Sequence, residues 1–396
     1  MHRITLIVFL LLLIPDIYIY LIYIFRKVKN RWLHAFYWLP TVLLLTGYSY
    51  YMYCTGDNVL ANHTQAIGKL AIGLFLFSIP KIAFIICSIL GLLLRLLYRP
   101  LHHVFVWIGL FISIACFAGI LYGATLGLKH FQVKEVTYYH PKLPKSFEGY
   151  TITQVSDIHI GSWKGKEGVI RRMVELVNSQ HADMIVFTGD LVNQRSAELI
   201  GFQNILSDFH ARDGVYSILG NHDYGTYYHW ANPKEVTNNM NELLNQEKSM
   251  GWQLLNNDHR IIHRGNDSIA LIGVGNDGEP PFSRFADLKK ASKDTKGMFR
   301  ILLSHNPTHW KREVLPQTNI ELMLSGHTHA MQGIFFGHSL ASLLYPEWGG
   351  MYAMKNRQAL YVNVGIGYVG LPFRFGAWPE ITVIKLKCGN KAQFSK

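Results

Sequence analysis

The spacing of apolar residues divides the chain into two parts: long apolar runs fill the first third, and short apolar segments alternate with polar clusters after it. Four runs, at roughly residues 4–25, 34–54, 70–94 and 104–127, are each long enough to cross a bilayer as a helix. A cleavable signal peptide is the alternative for the first run, but no small-residue cleavage site follows it. The pattern therefore predicts a membrane domain with four transmembrane helices in residues 1–128.

Charged residues around these runs predict how the chain is oriented across the membrane. The first and third connections between runs contain most of the basic residues, namely Arg26, Lys27, Lys29, Arg31, Arg95 and Arg99, whereas the second has only Lys69. Cytoplasmic connections carry the excess of Lys and Arg, so an even number of spans places the rest of the chain outside the cytoplasm. Asp16 and Lys81 fall within apolar runs, where pairing inside a helix bundle is the simpler interpretation and a transport pathway the alternative.

Residues 129–147 are predicted to form a connecting strand, at 133–139, and a proline-rich turn. Beyond them, helical spacing at 169–177, 199–209 and 235–250 alternates with short strand-like segments. Segments 150–155 and 184–187 flank the first helix and are predicted to form a parallel pair, and segment 215–219 is a third short strand. Segments 298–303, 320–324, 359–364 and 381–386 predict a second sheet. The predicted fold class is α/β: four N-terminal transmembrane helices followed by a two-sheet α/β sandwich in residues 148–396.

Five of the predicted strands end in clusters of Asp, Asn and His. The clusters contain Asp157 and His159, Asp190, Asn221 with His222 and Asp223, His305, and His327 with His329. Ligand sites in α/β sheets lie at the carboxyl ends of strands, so these side chains are expected to converge. Oxygen and imidazole ligands without thiolates suit Mn, Fe, Zn or Co better than calcium. Two such ions that share one carboxylate can clamp both oxygens of a displacement at phosphorus.

Composition agrees with a membrane region and one further domain. The chain has 396 residues, 49% of them hydrophobic, and a net charge of +12, which leaves room for a domain of about 250 residues. Its four cysteines, Cys54, Cys87, Cys116 and Cys388, are scattered without metal-ligand spacing. Neither a disulfide framework nor a thiolate site is therefore expected.

The polar clusters resemble a known motif series. Asp157-x-His159, Gly189-Asp190, Gly220-Asn221-His222-Asp223, His305 and Gly326-His327-Thr328-His329 are similar to the motifs of the calcineurin-like metallophosphoesterases, in that family's order. The resemblance covers roughly residues 148–386. It implies two divalent ions, with Mn favoured over Fe and Zn.

The resemblance also implies a role for each residue. One ion would be held by Asp157, His159, Asp190 and His329, and the other by Asp190, Asn221, His305 and His327. Asp190 would then bridge the two ions. His222 matches the family's catalytic histidine, which protonates the leaving group, and Asp223 matches its orienting partner.

Segments near the C-terminus resemble the membrane-associated bacterial branch of the family, which includes YkuE-like enzymes and a vertebrate transmembrane protein. They are Gln332 and residues 361–367, 371–374 and 379–381. The chain departs from this branch at Ala330 and Met331, where two glycines are more frequent, and the difference concerns the shape of the loop. Within these segments, Arg374 is expected either to contact a phosphate or to form a salt bridge.

The implied function is that of a membrane-anchored, dinuclear phosphoesterase, in which a metal-activated hydroxide cleaves a phosphomonoester, phosphodiester or pyrophosphate bond. A lipid-linked or nucleotide-linked substrate is favoured by the anchor, the lipid bilayer is the expected partner, and no nucleic acid is expected. Some relatives cleave the pyrophosphate of UDP-2,3-diacylglucosamine in lipid A synthesis. That reaction is cytoplasmic and therefore conflicts with the predicted orientation.

Two alternatives come from other classes. A non-catalytic metal-binding scaffold would be expected to lack at least one ligand, and all are present. An accessory domain of a transporter would accompany polar residues aligned along the spans, where only isolated charges are found. The roles of two aromatic or apolar segments also stay open. Residues 224–230 either line a substrate groove or fill a loop, and residues 335–348 either form a membrane-facing lip or pack within the domain.

Overall fold

The computed structural model describes residues 2–390 of the chain, with side chains from residue 5 onward. These residues group into two compact units: those up to 127 together with 370–373, and 128–369 together with those from 374 onward. The α-helices are α1 (His2–Ile19), α2 (Arg31–Tyr53), α3 (Val59–Asn62), α4 (Thr64–Leu94), α5 (Leu101–Thr125), α6 (Glu167–Asn178), α7 (Gln203–Leu206), α8 (Pro233–Ser249), α9 (Leu288–Ala291) and α10 (Leu315–Gln317).

Apolar helices make up the first unit. Three helical segments, Thr5–Ile24, Thr64–Leu94 and Leu101–Lys129, are long and apolar enough to cross a membrane. Helix α2 has a sufficient length of 23 residues, but its five tyrosines make it less apolar. Three of the four expected spans therefore meet the requirements of length and composition, and a membrane crossing by α2 stays a prediction.

A buried ion pair joins three of these helices. Lys81 on α4 pairs with Asp16 on α1, whose side chain is fully buried. Thr41 on α2 donates a hydrogen bond to the same carboxylate, and the Tyr37 hydroxyl lies 3.2 Å from its Oδ1. Because an unpaired charge is costly in an apolar bundle, pairing accounts for both charged residues.

The second unit is a sandwich of two six-stranded sheets. Its strands are β1 (Gln132–His140), β2 (Thr151–Val155), β3 (Met184–Phe187), β4 (Val215–Ser217), β5 (Gln253–Leu254), β6 (Asp258–Arg264), β7 (Asp267–Gly273), β8 (Phe299–Leu303), β9 (Leu322–Ser325), β10 (Gly350–Ala353), β11 (Ala359–Val362) and β12 (Glu380–Cys388). The first sheet has the order β1-β12-β2-β3-β4-β5, and the second has the order β10-β11-β9-β8-β7-β6. The predicted two-sheet α/β sandwich is confirmed.

Side chains that alternate between the two faces of each strand explain how the sheets and helices of the second unit pack in layers. In β3, Met184 and Val186 belong to the core between the sheets, whereas Ile185 and Phe187 pack with α6 and α8 on the other face. Successive side chains of a strand point to opposite faces, and both faces of β3 are covered. A third cluster, which includes Trp310, covers the outer face of the second sheet.

Two sequence-based expectations about elements were wrong. The last strand, β12, lies in the first sheet between β1 and β2, because its Ile384 and Leu386 fill the core beneath them. The helix expected at 199–209 is reduced to the four-residue α7, since Gly201 has a φ of +90° that interrupts helical backbone. The segment 129–147 contains β1, which is a full member of the first sheet through its parallel pairing with β12.

Candidate metal centre

The polar clusters lie in the loops that follow β2, β3 and β4 in the first sheet and β8 and β9 in the second. The side-chain amide of Gln154 connects the two sheets, because its Nε2 lies 3.1 Å from Thr188 Oγ1 and 2.8 Å from the Ser325 carbonyl oxygen. The main-chain N–H of Asp157 donates to the Gly189 carbonyl at 2.9 Å. The five loops therefore form one continuous edge at which the predicted residues meet.

Two glycines permit the close approach of these loops. A Cβ atom added at Gly326 would collide with the Ser156 hydroxyl and the Asp157 carboxylate. A Cβ atom added at Gly220 would collide with the Asp190 carboxylate. Steric exclusion of any larger residue thus explains the glycines that precede His327 and Asn221 in the motifs.

The backbone of most candidate ligands is strained. Five of the seven have positive φ: Asp157 (52°), His159 (46°), Asp190 (60°), His327 (75°) and His329 (50°). Left-handed backbone costs a residue other than glycine about 1 kcal/mol or more. Such strain persists only where the surrounding structure imposes it, and it concentrates at functional sites.

The loop after His329 continues this left-handed backbone through residues outside the ligand set. Ala330, Met331 and Gln332 have φ values of 48°, 44° and 61°. Ala330 and Met331 are the positions at which the chain departs from the glycines expected from the resemblance. The structure gives the reason for that preference, because glycine adopts this backbone without a steric penalty.

Asp157, His159 and His329 form a first group, in which one ligating atom from each residue lies within 4.8 Å of the others. His159 Nε2 is 3.0 Å from His329 Nε2, and His329 Nε2 is 3.3 Å from Asp157 Oδ1. Two ligand atoms bound to one ion at about 2.1 Å, with angles between right and tetrahedral, are about 3.0–3.4 Å apart. The spacing of this group therefore fits one divalent ion.

Asp190, His305 and His327 form a second group with the same 4.8 Å limit. His305 Nδ1 donates to the Thr188 carbonyl at 2.7 Å, which leaves Nε2 free at 3.1 Å from Asp190 Oδ2. His327 Nε2 contacts the Tyr345 hydroxyl at 3.0 Å, so Nδ1 is its available ligand atom. Metal-binding histidines are commonly oriented by a partner on the second ring nitrogen.

Asn221 provides an independent test of whether these residues suit a cation. Its Nδ2 donates to the Tyr227 hydroxyl at 2.9 Å, which directs Oδ1 the opposite way. Within the described part of the chain, this buried Oδ1 has no hydrogen-bond partner. A buried acceptor without a donor is costly unless a ligand completes it. The donor set of carboxylate, amide and imidazole atoms fits divalent metal ions of the Mn, Fe and Zn type.

Asp190 lies between the two groups. One carboxylate oxygen, Oδ2, is 3.1 Å from His305 Nε2 and 3.6 Å from His159 Nε2. The other oxygen, Oδ1, accepts the main-chain N–H of His222 at 2.9 Å. One carboxylate thus contacts both histidine groups and is anchored by the loop that carries His222.

The electrostatics of the site favour a positive charge beside the buried carboxylates. Burial alone would raise the pKa of Asp190, but His305 and His222 hold it well below its ordinary value. Burial lowers the pKa of His327 to about 3. Burial also opposes protonation of His305, yet the Asp190 and Asp157 carboxylates raise the pKa of His305 to about 9. Two buried carboxylates therefore draw a proton onto a histidine, as they would draw a cation.

His222 lies beside the first group, and one of its ring nitrogens is within 4.8 Å of ligating atoms of His159 and Asp190. Its side chain is partly exposed, and its Nδ1 donates to the Asn193 carbonyl at 2.6 Å. Nε2 is consequently the atom that can exchange a proton. The His222 ring lies 4.8 Å from the His159 ring and 4.3 Å from the Tyr227 ring, measured between centroids. Tyr227, from the segment for which a groove or a filled loop was expected, therefore packs against the site.

Asp223 does not have the expected arrangement. Its carboxylate was predicted to orient His222, but both of its oxygens are taken by four main-chain N–H groups, those of Asp190, Leu191, Val192 and Gly220, at 2.8–3.1 Å. The partner that orients His222 is the Asn193 carbonyl. Asp223 instead stabilises the loop that carries Asp190, because its carboxylate accepts hydrogen bonds from consecutive main-chain amides of that loop.

Some contacts of the site had no sequence signal. The orienting carbonyls of Thr188 and Asn193 are main-chain atoms and could not be read from residue identity. Arg374, expected to bind phosphate or form a salt bridge, is fully buried, and its Nη2 lies 2.9 Å from His329 Nδ1. Its remaining donors reach main-chain carbonyls, including those of Gly367 and Ala377. Arg374 therefore fixes the plane of the His329 ring.

Asp277, His309 and Glu313 form a further group of metal-binding residue types. His309 Nε2 lies 3.2 Å from Asp277 Oδ2 and 3.0 Å from Glu313 Oε2. The Arg312 guanidinium pairs with the same Asp277 carboxylate. Because a cationic side chain already neutralises Asp277, this group is a largely buried ion-pair network.

The candidate metal centre and the two sheets together define a class of protein. A centre of histidines, aspartates and one asparagine, held on the loop edge shared by two mixed sheets, is the arrangement of the metallophosphoesterases. Comparisons with known proteins agree. The family model described as "Calcineurin-like phosphoesterase" matches residues 150–331, and the model described as "Probable Calcineurin-like phosphoesterase, transmembrane domain" matches residues 2–128.

Sequence similarity to individual proteins shows the family to which the chain belongs. The chain is 30% identical over 268 residues to the uncharacterized metallophosphoesterase YkuE of Bacillus subtilis, covering 63% of this chain and 82% of that protein. It is 34% identical over 276 residues to the transmembrane protein with metallophosphoesterase domain of Danio rerio, covering 67% of this chain. The match spans 60% of that longer relative. This chain belongs to the calcineurin-like metallophosphoesterase family, and its N-terminal third matches the model of the transmembrane domain found with that family.

A third relative carries a substrate in its name. The UDP-2,3-diacylglucosamine pyrophosphatase LpxG of Chlamydia trachomatis is 26% identical over 301 residues, covering 63% of this chain and 88% of that protein. The family and the two residue groups indicate two divalent metal ions.

Proposed function

We propose that this protein hydrolyses a lipid-linked or nucleotide-linked phosphoester at a dinuclear centre anchored to a membrane. The observation that carries the proposal is the position of Asp190, one oxygen of which lies 3.1 Å from His305 Nε2 and 3.6 Å from His159 Nε2. A carboxylate that contacts two histidine groups at once is suited to a bridging role. Two ions with one bridge are suited to displacement at phosphorus.

The proposed ligands divide into two sets that share Asp190. Asp157, His159, Asp190 and His329 would hold one ion, and Asp190, Asn221, His305 and His327 would hold the other. When bound, the ions would supply Lewis acidity toward the phosphoryl group and an activated water. Mn is the favoured metal, because a set of oxygen and imidazole donors without thiolate suits it.

His222 is proposed as the proton donor to the leaving oxygen. Its Nδ1–H is committed to the Asn193 carbonyl, so a proton gained by the ring resides at Nε2. The side chain is partly exposed and can reach a substrate. Its main-chain N–H binds Asp190 Oδ1 at 2.9 Å, which ties the donor to the proposed bridge. General acid catalysis by a positioned side chain contributes about 10²–10⁴-fold to turnover.

The bond cleaved is proposed to be a phosphomonoester, phosphodiester or pyrophosphate of an amphiphilic substrate. The membrane domain supports a substrate that resides in or near a bilayer. A pyrophosphatase acting on UDP-2,3-diacylglucosamine is the second candidate, favoured by the likeness to LpxG of Chlamydia trachomatis. It requires a catalytic domain in the cytoplasm.

The proposed orientation is the opposite one, with the catalytic residues outside the cytoplasm. It requires that α2 crosses the membrane together with the three more apolar segments, so that the number of spans is even. The basic residues of the first and third connections would then face the cytoplasm. The proposed domains are residues 1–128 in the membrane, 129–147 as a connection and 148–396 as the catalytic domain. The protein is thus a multi-pass membrane enzyme.

Turnover of generic substrates tests the proposal. Purified protein in detergent is assayed on nitrophenyl monoesters and diesters after chelation and again after Mn is restored. We expect hydrolysis that is lost with the metal and recovered with it. Absence of turnover on every ester with full metal loading would contradict the enzyme and favour a metal-binding scaffold.

A further inference from the structure

A contiguous set of large apolar side chains is exposed beside the metal centre. We call it the apolar ridge, and it consists of Phe335, Phe336, Leu340, Leu343 and Leu344, which are 49%, 102%, 67%, 79% and 66% exposed. Single exposed apolar residues are common on soluble proteins, whereas contiguous patches mark interaction sites. The ridge therefore indicates a surface that is covered in the working protein.

The exposure of the ridge is built into its local structure. Phe335 and His338 exchange two main-chain hydrogen bonds of 2.8 and 3.0 Å, which place Phe336 at the tip of a tight turn. After Ser339, residues Leu340–Leu343 form a 3₁₀ helix whose Ala341 is buried, so the leucines around it face outward. Ser339 Oγ accepts the Ala341 N–H at 3.1 Å and donates to the Ala330 carbonyl at 2.5 Å.

The ridge is attached to the metal centre at both ends. It follows the loop of His329, and it is followed by Tyr345, whose hydroxyl lies 3.0 Å from His327 Nε2. The ring of Phe335 stacks on that of Phe375 at a centroid distance of 5.4 Å. A hydrocarbon chain that contacts the ridge would therefore end close to the candidate ligands.

The covalent structure of the chain points to a bilayer as the occupant. The last apolar segment that can cross a membrane ends at Lys129, and β1 begins at Gln132. Two intervening residues extend to about 7–10 Å, so the chain enters β1 within that distance of the end of the apolar segment. A phenylalanine at a turn tip and leucines on one side of a short helix are the side chains that enter the interfacial region of lipids.

We propose that the apolar ridge inserts into the hydrocarbon of the bilayer that anchors the chain. Insertion holds the centre formed by Asp157, Asp190 and their histidines at the level of the lipid headgroups. The phosphoester is therefore taken from the membrane surface, with its acyl chains left in the bilayer. The statement about substrate rests on the proposed function, whereas insertion of the ridge does not.

Quenching by brominated lipid tests insertion directly. The four cysteines are replaced by alanine, and a bimane fluorophore is placed on a single cysteine at Leu340 in one protein and at Ile200 in another. Both residues are 67% exposed in the second unit, and Ile200 lies outside the ridge. In nanodiscs of phosphatidylcholine brominated along its acyl chains, we expect quenching about threefold greater at Leu340 than at Ile200. Equal quenching at both positions would overturn insertion, and is the result expected if another protein or a second copy covers the ridge.

A ratio of two activities tests the statement about substrate. The full-length double variant Leu340→Ser with Leu343→Ser is compared with Ile200→Ser on nitrophenyl hexadecyl phosphate in nanodiscs and on nitrophenyl methyl phosphate in solution. We expect the ratio of kcat/KM for the lipid ester over the soluble ester to fall about tenfold in the double variant alone. An unchanged ratio despite quenching would overturn delivery from the membrane. Failure of the parent protein to hydrolyse either ester would overturn the proposed function, and the quenching result would still decide insertion.

Discussion

The main-chain N–H of His222 donates to Asp190 Oδ1 at 2.9 Å, so the candidate proton donor and the candidate bridge are joined by one hydrogen bond. The other oxygen of the same carboxylate contacts His305 and His159. Movement of the loop that carries His222 would therefore displace the carboxylate shared by both groups. This coupling makes Asp190 the position at which a small chemical change has the widest effect.

Asp190→Asn is expected to lower metal content at both sites and to reduce turnover by about 100-fold or more, even in excess Mn. The substitution removes one negative charge from between two dications, where their repulsion is least screened. Asp157→Asn is the matched variant, and it should retain nearly one ion per chain and recover some turnover as Mn is raised. Metal content of each variant is measured after gel filtration, and turnover is measured during a Mn titration. An Asp190→Asn protein with two ions and Mn-restored turnover would contradict the bridge.

His222→Ala is expected to lose about 10²–10⁴-fold in kcat while it retains both ions, because it removes a proton donor and no ligand. The loss should be larger for alkyl esters than for nitrophenyl esters, whose leaving groups need little protonation. His210→Ala, at an exposed histidine, is the control. Steady-state kinetics with both substrates, together with metal analysis, test the role. Equal losses on both substrates would argue against acid catalysis.

Tyr345→Phe is expected to weaken metal binding at the second group by about tenfold, because the hydroxyl that contacts His327 Nε2 is removed while the ring remains. Binding at the first group should change little. Competition with a chromophoric chelator measures the two affinities. Tyr216→Phe, at a buried tyrosine of β4, serves as the control. Equal weakening at both groups would show that the effect is not local.

The structure brings the predicted polar clusters together, whereas part of the sheet was predicted wrongly, for different physical reasons. Residues such as Asp157 and His305 lie two positions after the ends of apolar strands, so the local pattern predicted that they lie at one edge of the fold. The position of β12 depends on pairing with β1, which is distant along the chain, and no local signal reports it. The hydrogen bonds of the Asp223 carboxylate go to main-chain amides, which residue identity does not report, and not to His222 as the resemblance implied.

Met331→Gly is expected to stabilise the protein by about 1 kcal/mol, because Met331 has a φ of 44° that glycine adopts without strain. Met331 is 44% exposed, so little packing is lost. Met354, which is 46% exposed, provides the matched variant Met354→Gly, and there we expect no gain. Thermal unfolding in detergent should show a rise in Tm of about 2–4 °C for Met331→Gly alone. A fall in Tm would mean that the left-handed backbone is not strained.

Glu247→Gln is expected to remove a pH dependence of stability. Burial raises the pKa of Glu247 to about 8, and Ser217 Oγ donates to its carboxyl group at 2.5 Å. The folded protein holds a proton that the unfolded chain loses above about pH 4.5, so stability falls as the pH rises from about 4.5 to 8. The decline should amount to a few kcal/mol at most, and Glu247→Gln should lack this component. Unfolding midpoints across that pH range, with Glu175→Gln as an exposed control, test it.

The position of β12 also has a consequence for biosynthesis. Strand β1 leaves the ribosome directly after the membrane helices, yet the strand it pairs with in the described sheet, β12, follows about 240 residues later. At the usual rates of translation, β1 waits on the order of ten seconds or more with its hydrogen-bonding edge open. Strand β12 must then enter between β1 and β2, both of which have already been synthesised. Assembly of the first sheet is therefore not vectorial, and a nascent chain stalled before Glu380 would expose the edges of two strands to aggregation and to cellular quality control.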